Sequence, residues 1–236
     1  MFPLRDENPT NLTPVVTIGI IIVCSVLYLI QLAGGESVAE SQILNFGLIP
    51  GEVTQGDGIG INMLISGHFY SFFSSIFIHG GFLHVLGNML FLWIFGNNIE
   101  DALGHKRFIL FFLICGFIAG LAQVAMDTNS PIPMVGASGA VSGVMAAYIL
   151  LYPHAKIVTL LFLGIFVTFV RISAGWYIGG WFVMQAIQGV ASSPSGGGVA
   201  WWAHIGGFIA GLVLLPILKK TRQTLFQPKR LGPWDA

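Results

Sequence analysis

The segment Ala203-His204-Ile205-Gly206-Gly207-Phe208-Ile209-Ala210-Gly211 places a histidine at the start of a long apolar run that ends near Lys219. A second segment, Gly136-Ala137-Ser138-Gly139, places a serine at the start of another apolar run, which ends at about Tyr152. Both runs indicate membrane spans. Polar and ionisable groups are costly inside a membrane, and where they occur they usually have partners and a function. The two segments therefore predict a serine nucleophile and a histidine base that lie side by side between two spans.

The composition is that of an integral membrane protein. Charged residues make up 8% of the chain and hydrophobic residues 55%, whereas soluble domains contain about 25% charged residues. The formal net charge is zero, so no nucleic-acid partner is indicated. The two cysteines, Cys24 and Cys115, both lie in apolar runs, and their spacing fits no disulfide framework, zinc site or haem site. We therefore expect no metal.

The apolar runs predict an all-α membrane protein with six transmembrane helices. A span needs about 20 residues to cross about 30 Å of hydrocarbon. The six runs lie at about 14–33, 82–98, 108–126, 138–152, 174–190 and 203–218. The chain is thereby divided into an N-terminal tail (1–13), a six-span domain (14–218) and a basic C-terminal tail (219–236).

The positive charges predict that both termini are cytoplasmic. With six spans, all ten Lys and Arg residues fall in the tails and the even-numbered loops, as the positive-inside rule requires. A further apolar stretch, 157–170, lies between Lys156 and Arg171. If it crossed the membrane, Arg171 and the five basic residues that follow it would be moved outside. The charges therefore indicate an interfacial or re-entrant segment on the cytoplasmic side.

The same topology brings the candidate catalytic residues to one depth. Spans two, four and six all begin at the outer face, so His84, Ser138 and His204 should lie near one another. Serine is a weak nucleophile unless a base takes its proton, and His204 is the candidate base.

Two pairs of glycines should let spans four and six approach closely. Gly139 and Gly143 are four residues apart on span four, and Gly207 and Gly211 are four apart on span six. Such small faces allow close backbone contact in lipid.

A second pair of polar residues, His84 and Asn88, shares one face of span two. These side chains could donate hydrogen bonds to an oxyanion in acyl transfer, or they could form ordinary interhelical hydrogen bonds. The nearest carboxylate at the outer face is Asp127, which we do not expect to complete a triad. The sequence therefore favours a two-residue dyad.

Four segments of the chain together resemble the rhomboid intramembrane serine proteases over about residues 68–218. In chain order they are His79–His84 followed by Asn88, Glu100–Gly104, Gly136–Gly139 and Ala203–Gly211.

The resemblance implies that Ser138 is the nucleophile and His204 the general base. It implies that His84, Asn88 and the Ser138 amide stabilise the oxyanion, and that no cofactor is needed. Gly136, Gly139 and Gly207 would be structural residues beside the site.

The resemblance also implies that the substrates are membrane-spanning proteins, cut within or just outside their helices. Span five would be a lateral gate, and residues 191–202, with the flexible Pro194–Gly198 stretch, would form a capping loop.

The chain departs from the usual family pattern at two places. Many members carry Trp-Arg in the first outer loop, where this chain has Tyr70-Ser71. Many also carry an aromatic residue one turn after the nucleophile, where this chain has Ser142. Since that aromatic ring packs on the catalytic imidazole, we expect other neighbours to hold His204 here, such as Phe208 or Trp202.

Two other functions compete with the protease. A rhomboid-like protein that binds membrane clients without cutting them would be favoured by loss of Ser138 or His204, yet both are present. A transporter would usually show internal repeats and ionisable groups near the midplane, which the sequence lacks. The compact six-span plan favours a bacterial plasma membrane, with the active site at the external face. The sequence leaves the oligomeric state open.

Overall fold

The computed structural model describes residues 2–55, 58–164, 166–191 and 199–228. The chain is mostly helical, with one small sheet. Its elements, in chain order, are β1 (Phe2–Asp6), α1 (Val15–Phe46), α2 (Pro50–Thr54), α3 (Asn62–Ile65), α4 (Ser71–Ser74), α5 (Phe82–Leu103), α6 (His105–Met126), α7 (Ser138–Leu151), β2 (Lys156–Leu163), β3 (Phe166–Ser173), α8 (Ala174–Ala191) and α9 (Trp201–Leu218).

Within the described part of the chain, four helices are long and apolar enough to cross a membrane: α1, α5, α6 and α9. The chain is therefore a multi-pass integral membrane protein. Helices also occupy the other two predicted span positions, as α7 and α8. With 14 residues, α7 is shorter than a typical span of about 20 residues.

The short helix α7 lies at the centre of the bundle. Eleven of its 14 residues are buried, so it is enclosed by other helices. An enclosed helix is not obliged to match the hydrocarbon thickness, and its small residues bring its neighbours close. Ser138, the first residue of α7, is half-buried at one end of this enclosed helix.

The first helix is longer than predicted. The predicted span covers about 14–33, whereas α1 extends to Phe46. Its backbone leaves helical geometry at Gly35 (φ 75°, ψ −169°), close to the predicted end. The helix resumes beyond this kink and leads into the segment that holds α2, α3 and α4.

The prediction of an all-α protein is wrong, because the segment after α7 forms a β-hairpin. Strands β2 and β3 pair antiparallel, with register from Lys156 opposite Ser173 to Leu163 opposite Phe166. The run is rich in β-branched and aromatic residues, which favour strands. Its apolar character alone does not distinguish a strand from a short buried helix, which is why the sequence pattern missed it.

The N-terminal tail is also ordered, where we predicted only a polar tail. Strand β1 pairs antiparallel with β2 and completes a three-stranded sheet of order β1-β2-β3. At its end, Asp6 accepts hydrogen bonds from the hydroxyl of Tyr148 (2.7 Å) and from the amide of Asn98 (2.8 Å). The tail is therefore attached to α5 and α7.

A buried carboxylate joins α1 to the end of α5. Glu100 is fully buried and accepts hydrogen bonds from the backbone N–H groups of Val16 (2.9 Å) and Thr17 (2.8 Å) and from the Thr17 hydroxyl (2.7 Å). The first N–H groups of a helix have no partner within it, and a negative charge there is favourable. Glu100 thus caps α1, and it also contacts the ring of His105 at 2.6 Å.

Candidate active site

The side chains of Ser138 and His204 are in direct contact. Oγ of Ser138 lies 2.7 Å from Nε2 of His204, which is hydrogen-bond distance. Ser138 is the first residue of α7, and His204 lies in the first turn of α9. His204 is only 7% exposed. The structure therefore brings together the two residues that the sequence placed at the starts of separate spans.

Close packing of α7 against α9 makes this contact possible. A Cβ atom added at Gly207 would overlap the carbonyl oxygen of Gly139, and one added at Gly211 would overlap that of Gly143. The two predicted glycine pairs thus face each other, and the helix backbones touch. Any larger residue at these positions would push the two helices apart.

Ser142 also lies in this helix interface, at the position where many family members carry an aromatic residue. Its side chain is fully buried, and its hydroxyl lies 2.7 Å from the carbonyl oxygen of Gly139 and 2.9 Å from that of His204. A small residue is needed here, because Gly207 lies directly against it. Ser142 therefore positions the backbone of His204 and not its ring.

The ring of His204 is held by residues that the sequence analysis did not identify. Nδ1 lies 2.5 Å from Oε1 of Gln185. The ring of Trp181 lies 5.8 Å from the imidazole, and that of Trp201 meets it edge-on at 6.2 Å. The expectation that Phe208 or Trp202 holds the imidazole is wrong. Phe208 instead stacks on Phe182 of α8, with a centroid distance of 4.1 Å.

The candidate oxyanion residues lie on the other side of the nucleophile. Gly136 has φ +116°, a conformation that favours glycine. A Cβ atom there would lie 2.6 Å from Nε2 of His84 and 3.6 Å from Nδ2 of Asn88. The Asn88 amide also donates to the carbonyl of His84 at 3.0 Å. Both side chains are therefore adjacent to the backbone two residues before Ser138.

A further histidine, His79, supports the segment just before α7. The N–H of Ala137 points at Nε2 of His79 at 3.4 Å, and the ring of His79 meets that of His84 edge-on at 5.2 Å. Burial, with a smaller contribution from His84, lowers the pKa of His79 to about 4. The ring is therefore neutral at physiological pH, which allows Nε2 to accept the hydrogen bond from the residue before the nucleophile.

One cavity of about 1200 Å³ contains the candidate nucleophile, the candidate base and the candidate oxyanion residues. Its lining includes Ser138 and His204 together with His84, Asn88 and Gly136. Asp127 also lines it, but the group beside Nδ1 of His204 is the Gln185 amide and not a carboxylate. Within the described residues, no three His, Cys, Asp or Glu side chains are placed to hold a metal ion.

The arrangement has the parts that acyl transfer requires. A hydroxyl contacts an imidazole nitrogen, which can take its proton. The N–H groups at the start of α7 have no acceptor within the helix, and the polar side chains of His84 and Asn88 lie against the backbone of Gly136, two residues before α7. The predicted capping stretch Pro194–Gly198 lies outside the described residues.

Comparison with known proteins identifies the family. The Rhomboid domain family matches residues 66–221. The chain is 32% identical over 158 residues to the chloroplastic Rhomboid-like protein 11 of Arabidopsis thaliana. The aligned segment covers 64% of this chain and 53% of that protein. It is 30% identical over 177 residues to the mitochondrial Rhomboid protein 1 of Saccharomyces cerevisiae, covering 70% of this chain and 46% of that protein.

A bacterial relative carries the name of a protease. The chain is 33% identical over 86 residues to Rhomboid protease GluP of Bacillus subtilis, covering 36% of this chain and 16% of that protein. The chain spans about half the length of the first two relatives. The family match covers the segment from the outer loop through α9, which holds every site residue described above. The chain belongs to the rhomboid family.

Proposed function

We propose that this protein is an intramembrane serine endopeptidase that hydrolyses peptide bonds in or near the transmembrane segments of other proteins. The observation that carries the proposal is the 2.7 Å contact between Ser138 Oγ and His204 Nε2, which lies in a cavity inside a membrane protein. The same contact favours a protease over a rhomboid-like protein that binds clients without cutting them, because client binding alone needs no nucleophile paired with a base.

The reaction follows from the geometry. As Ser138 Oγ attacks the carbonyl carbon, Nε2 of His204 takes the hydroxyl proton and later gives it to the leaving amine. The negative oxygen of the tetrahedral intermediate receives hydrogen bonds from the Ser138 N–H and from His84 and Asn88. One such donor contributes about 3–4 kcal/mol to the transition state. Water then hydrolyses the acyl-enzyme, with His204 as base again.

The proposed topology has six spans, cytoplasmic termini and an active site that opens to the opposite side. It is supported by helices at all six predicted positions and by the distribution of Lys and Arg. Helix α8 is the candidate lateral gate. It buries only a narrow stripe, Ala174, Ile178, Gln185 and Gly189, so it is the most peripheral helix around the site.

The comparisons do not support the predicted bacterial plasma membrane. The relatives described above include a chloroplastic and a mitochondrial protein beside one from Bacillus subtilis. The proposal is therefore limited to a membrane-embedded enzyme, with transmembrane proteins as substrates and lipid as surroundings.

The direct test is cleavage of a model transmembrane substrate by purified protein in detergent. We expect Ser138→Ala and His204→Ala each to abolish cleavage. Ser37→Ala and His68→Ala are matched controls, because Ser37 is exposed on α1 and His68 lies in the outer loop, away from the site. Cleavage by Ser138→Ala at the wild-type rate would show that another group is the nucleophile.

A further inference from the structure

We infer that Gln185 is a positioning residue of the catalytic base, which makes the site a Ser–His–Gln arrangement with its third member on α8. The inference rests on the proposed function and concerns how the histidine is kept in its reactive form. It starts from the 2.5 Å contact between Oε1 of Gln185 and Nδ1 of His204. Both residues are 7% exposed.

The chemistry of Gln185 and His204 determines which nitrogen of the imidazole ring carries the proton. An amide oxygen accepts hydrogen bonds and cannot donate them. With Oε1 facing Nδ1, the imidazole must therefore carry its proton on Nδ1. Nε2 then has a free lone pair, and it is Nε2 that faces the hydroxyl of Ser138. Gln185 thus selects the tautomer in which His204 can accept the serine proton.

The other neighbours of the ring cannot replace this acceptor. Trp181 and Trp201 contact the imidazole through their rings, and the indole nitrogen is a donor only. Among the described residues, Gln185 is therefore the polar side chain that holds Nδ1. Its removal would leave a buried N–H without a partner, which is unfavourable.

The position of Gln185 on α8 links the base to the candidate gate. Trp181 and Gln185 are four residues apart, so they share one face of α8, and both contact His204. One turn further, a Cβ atom at Gly189 would lie 3.3 Å from Cβ of Trp201, which shows how closely this face packs on α9. Outward movement of α8 would withdraw both supports from the imidazole. The base is then fully oriented only when α8 is closed.

Two substitutions of Gln185 separate positioning from packing. Gln185→Leu keeps a side chain of similar size but removes the acceptor oxygen, whereas Gln185→Glu keeps an acceptor oxygen. Gln188→Leu is the matched control, since Gln188 lies on the same helix and is only partly buried. Each variant is assayed for substrate cleavage and for the rate of labelling by a small fluorophosphonate, with its thermal unfolding midpoint as a measure of folding.

We expect Gln185→Leu to label and cleave about tenfold more slowly than wild type, because it loses one neutral hydrogen bond that orients the base. Gln185→Glu should recover most of the labelling rate, and Gln188→Leu should match wild type. The small probe does not need α8 to open. If Gln185 only controls access of the substrate helix, Gln185→Leu will therefore label at the wild-type rate, and the inference is wrong.

A spectroscopic measurement keeps the inference testable if Gln185→Leu does not fold. In wild-type protein with ¹⁵N-labelled histidine, the signals that disappear in His204→Ala identify this ring. We expect the Nδ1–H tautomer, and the Nε2–H tautomer would overturn the inference. If wild-type protein is neither labelled at Ser138 nor active, the proposed function fails, while the tautomer still decides the role of Gln185.

Discussion

The hydroxyl of Tyr148 donates a 2.7 Å hydrogen bond to Oδ2 of Asp6, which ties the N-terminal strand to α7, the helix that begins with Ser138. Tyr148 lies ten residues after Ser138 on α7 and is fully buried. The sheet therefore has a structural connection to α7, at the end of that helix opposite to Ser138.

The burial of the Asp6 carboxyl group predicts that the free energy of unfolding depends on pH. Burial raises the pKa of Asp6 from 3.8 to about 6, and hydrogen bonds from Tyr148 and Asn98 only partly oppose this effect. The folded state then binds more protons than the unfolded state between about pH 4 and 6. The free energy of unfolding should therefore fall as pH rises through this window, by at most about 3 kcal/mol.

Replacement of Asp6 by Asn should remove this dependence. Thermal unfolding of wild type and Asp6→Asn in detergent, measured from pH 4 to 7, gives the comparison. We expect the unfolding temperature of the variant to vary less across that range. An equal pH response in both proteins would mean that Asp6 is not the titrating group.

The contact between α7 and α9 predicts a strong effect at Gly207. A Cβ atom there would overlap the carbonyl oxygen of Gly139 and would lie 2.8 Å from Oγ of Ser142. Gly207→Ala should therefore destabilise the protein by about 1–3 kcal/mol and reduce cleavage, because the helices that carry Ser138 and His204 are forced apart. Thermal unfolding and cleavage assays measure both effects.

The control for this substitution is Gly19→Ala on α1, where an added Cβ atom meets no neighbouring atom within 4 Å. It tests the effect of the same chemical change without the close contact. Equal stability and activity of the two variants would contradict the packing described here.

The buried carboxylate of Glu100 predicts a large loss of stability on its removal. Glu100→Ala leaves the N–H groups of Val16 and Thr17 without their acceptor, which should cost about 2 kcal/mol or more. Glu40→Ala, at an exposed position of α1, should leave the unfolding temperature nearly unchanged. A Glu100→Ala variant as stable as Glu40→Ala would show that this cap contributes little.

The end of the β2–β3 hairpin that contains its turn is predicted to lie in the membrane interface. Phe162, Phe166 and Phe169 are between 60% and 71% exposed, and an exposed group of large apolar side chains is typical of a surface that contacts a membrane. Both native cysteines are buried, so a thiol-reactive fluorophore can be directed to Phe166→Cys. In proteoliposomes this probe should be quenched by lipid-attached spin labels, whereas a probe at Thr224→Cys in the exposed tail should be quenched by aqueous iodide. Equal quenching of both probes by iodide would place the hairpin in water.

Local sequence patterns were sufficient to identify Ser138 and His204, whose side chains are in contact, and the glycines that bring their helices together. Ser138 and His204 each open an apolar run, and the spacing of Gly139 with Gly143 and of Gly207 with Gly211 identifies facing surfaces. These features lie within single helices, so each can be identified from a few neighbouring residues.

Features that depend on pairing between distant segments could not be found in this way. The run 156–163 is apolar enough for either a helix or a strand, and it forms a strand by pairing with residues 166–173 and with residues 2–6. Gln185 is one of two glutamines in α8, and nothing in the local pattern shows that this one faces His204.

The most direct test of the central claim is the site of covalent labelling by a fluorophosphonate probe. Ser138 Oγ and His204 Nε2 are 2.7 Å apart, so the serine should be activated in the folded protein. We expect peptide mass spectrometry to place the adduct on Ser138 in wild type, and neither Ser138→Ala nor His204→Ala to be labelled. Labelling at another residue, or labelling of Ser138 at an undiminished rate in His204→Ala, would contradict the account.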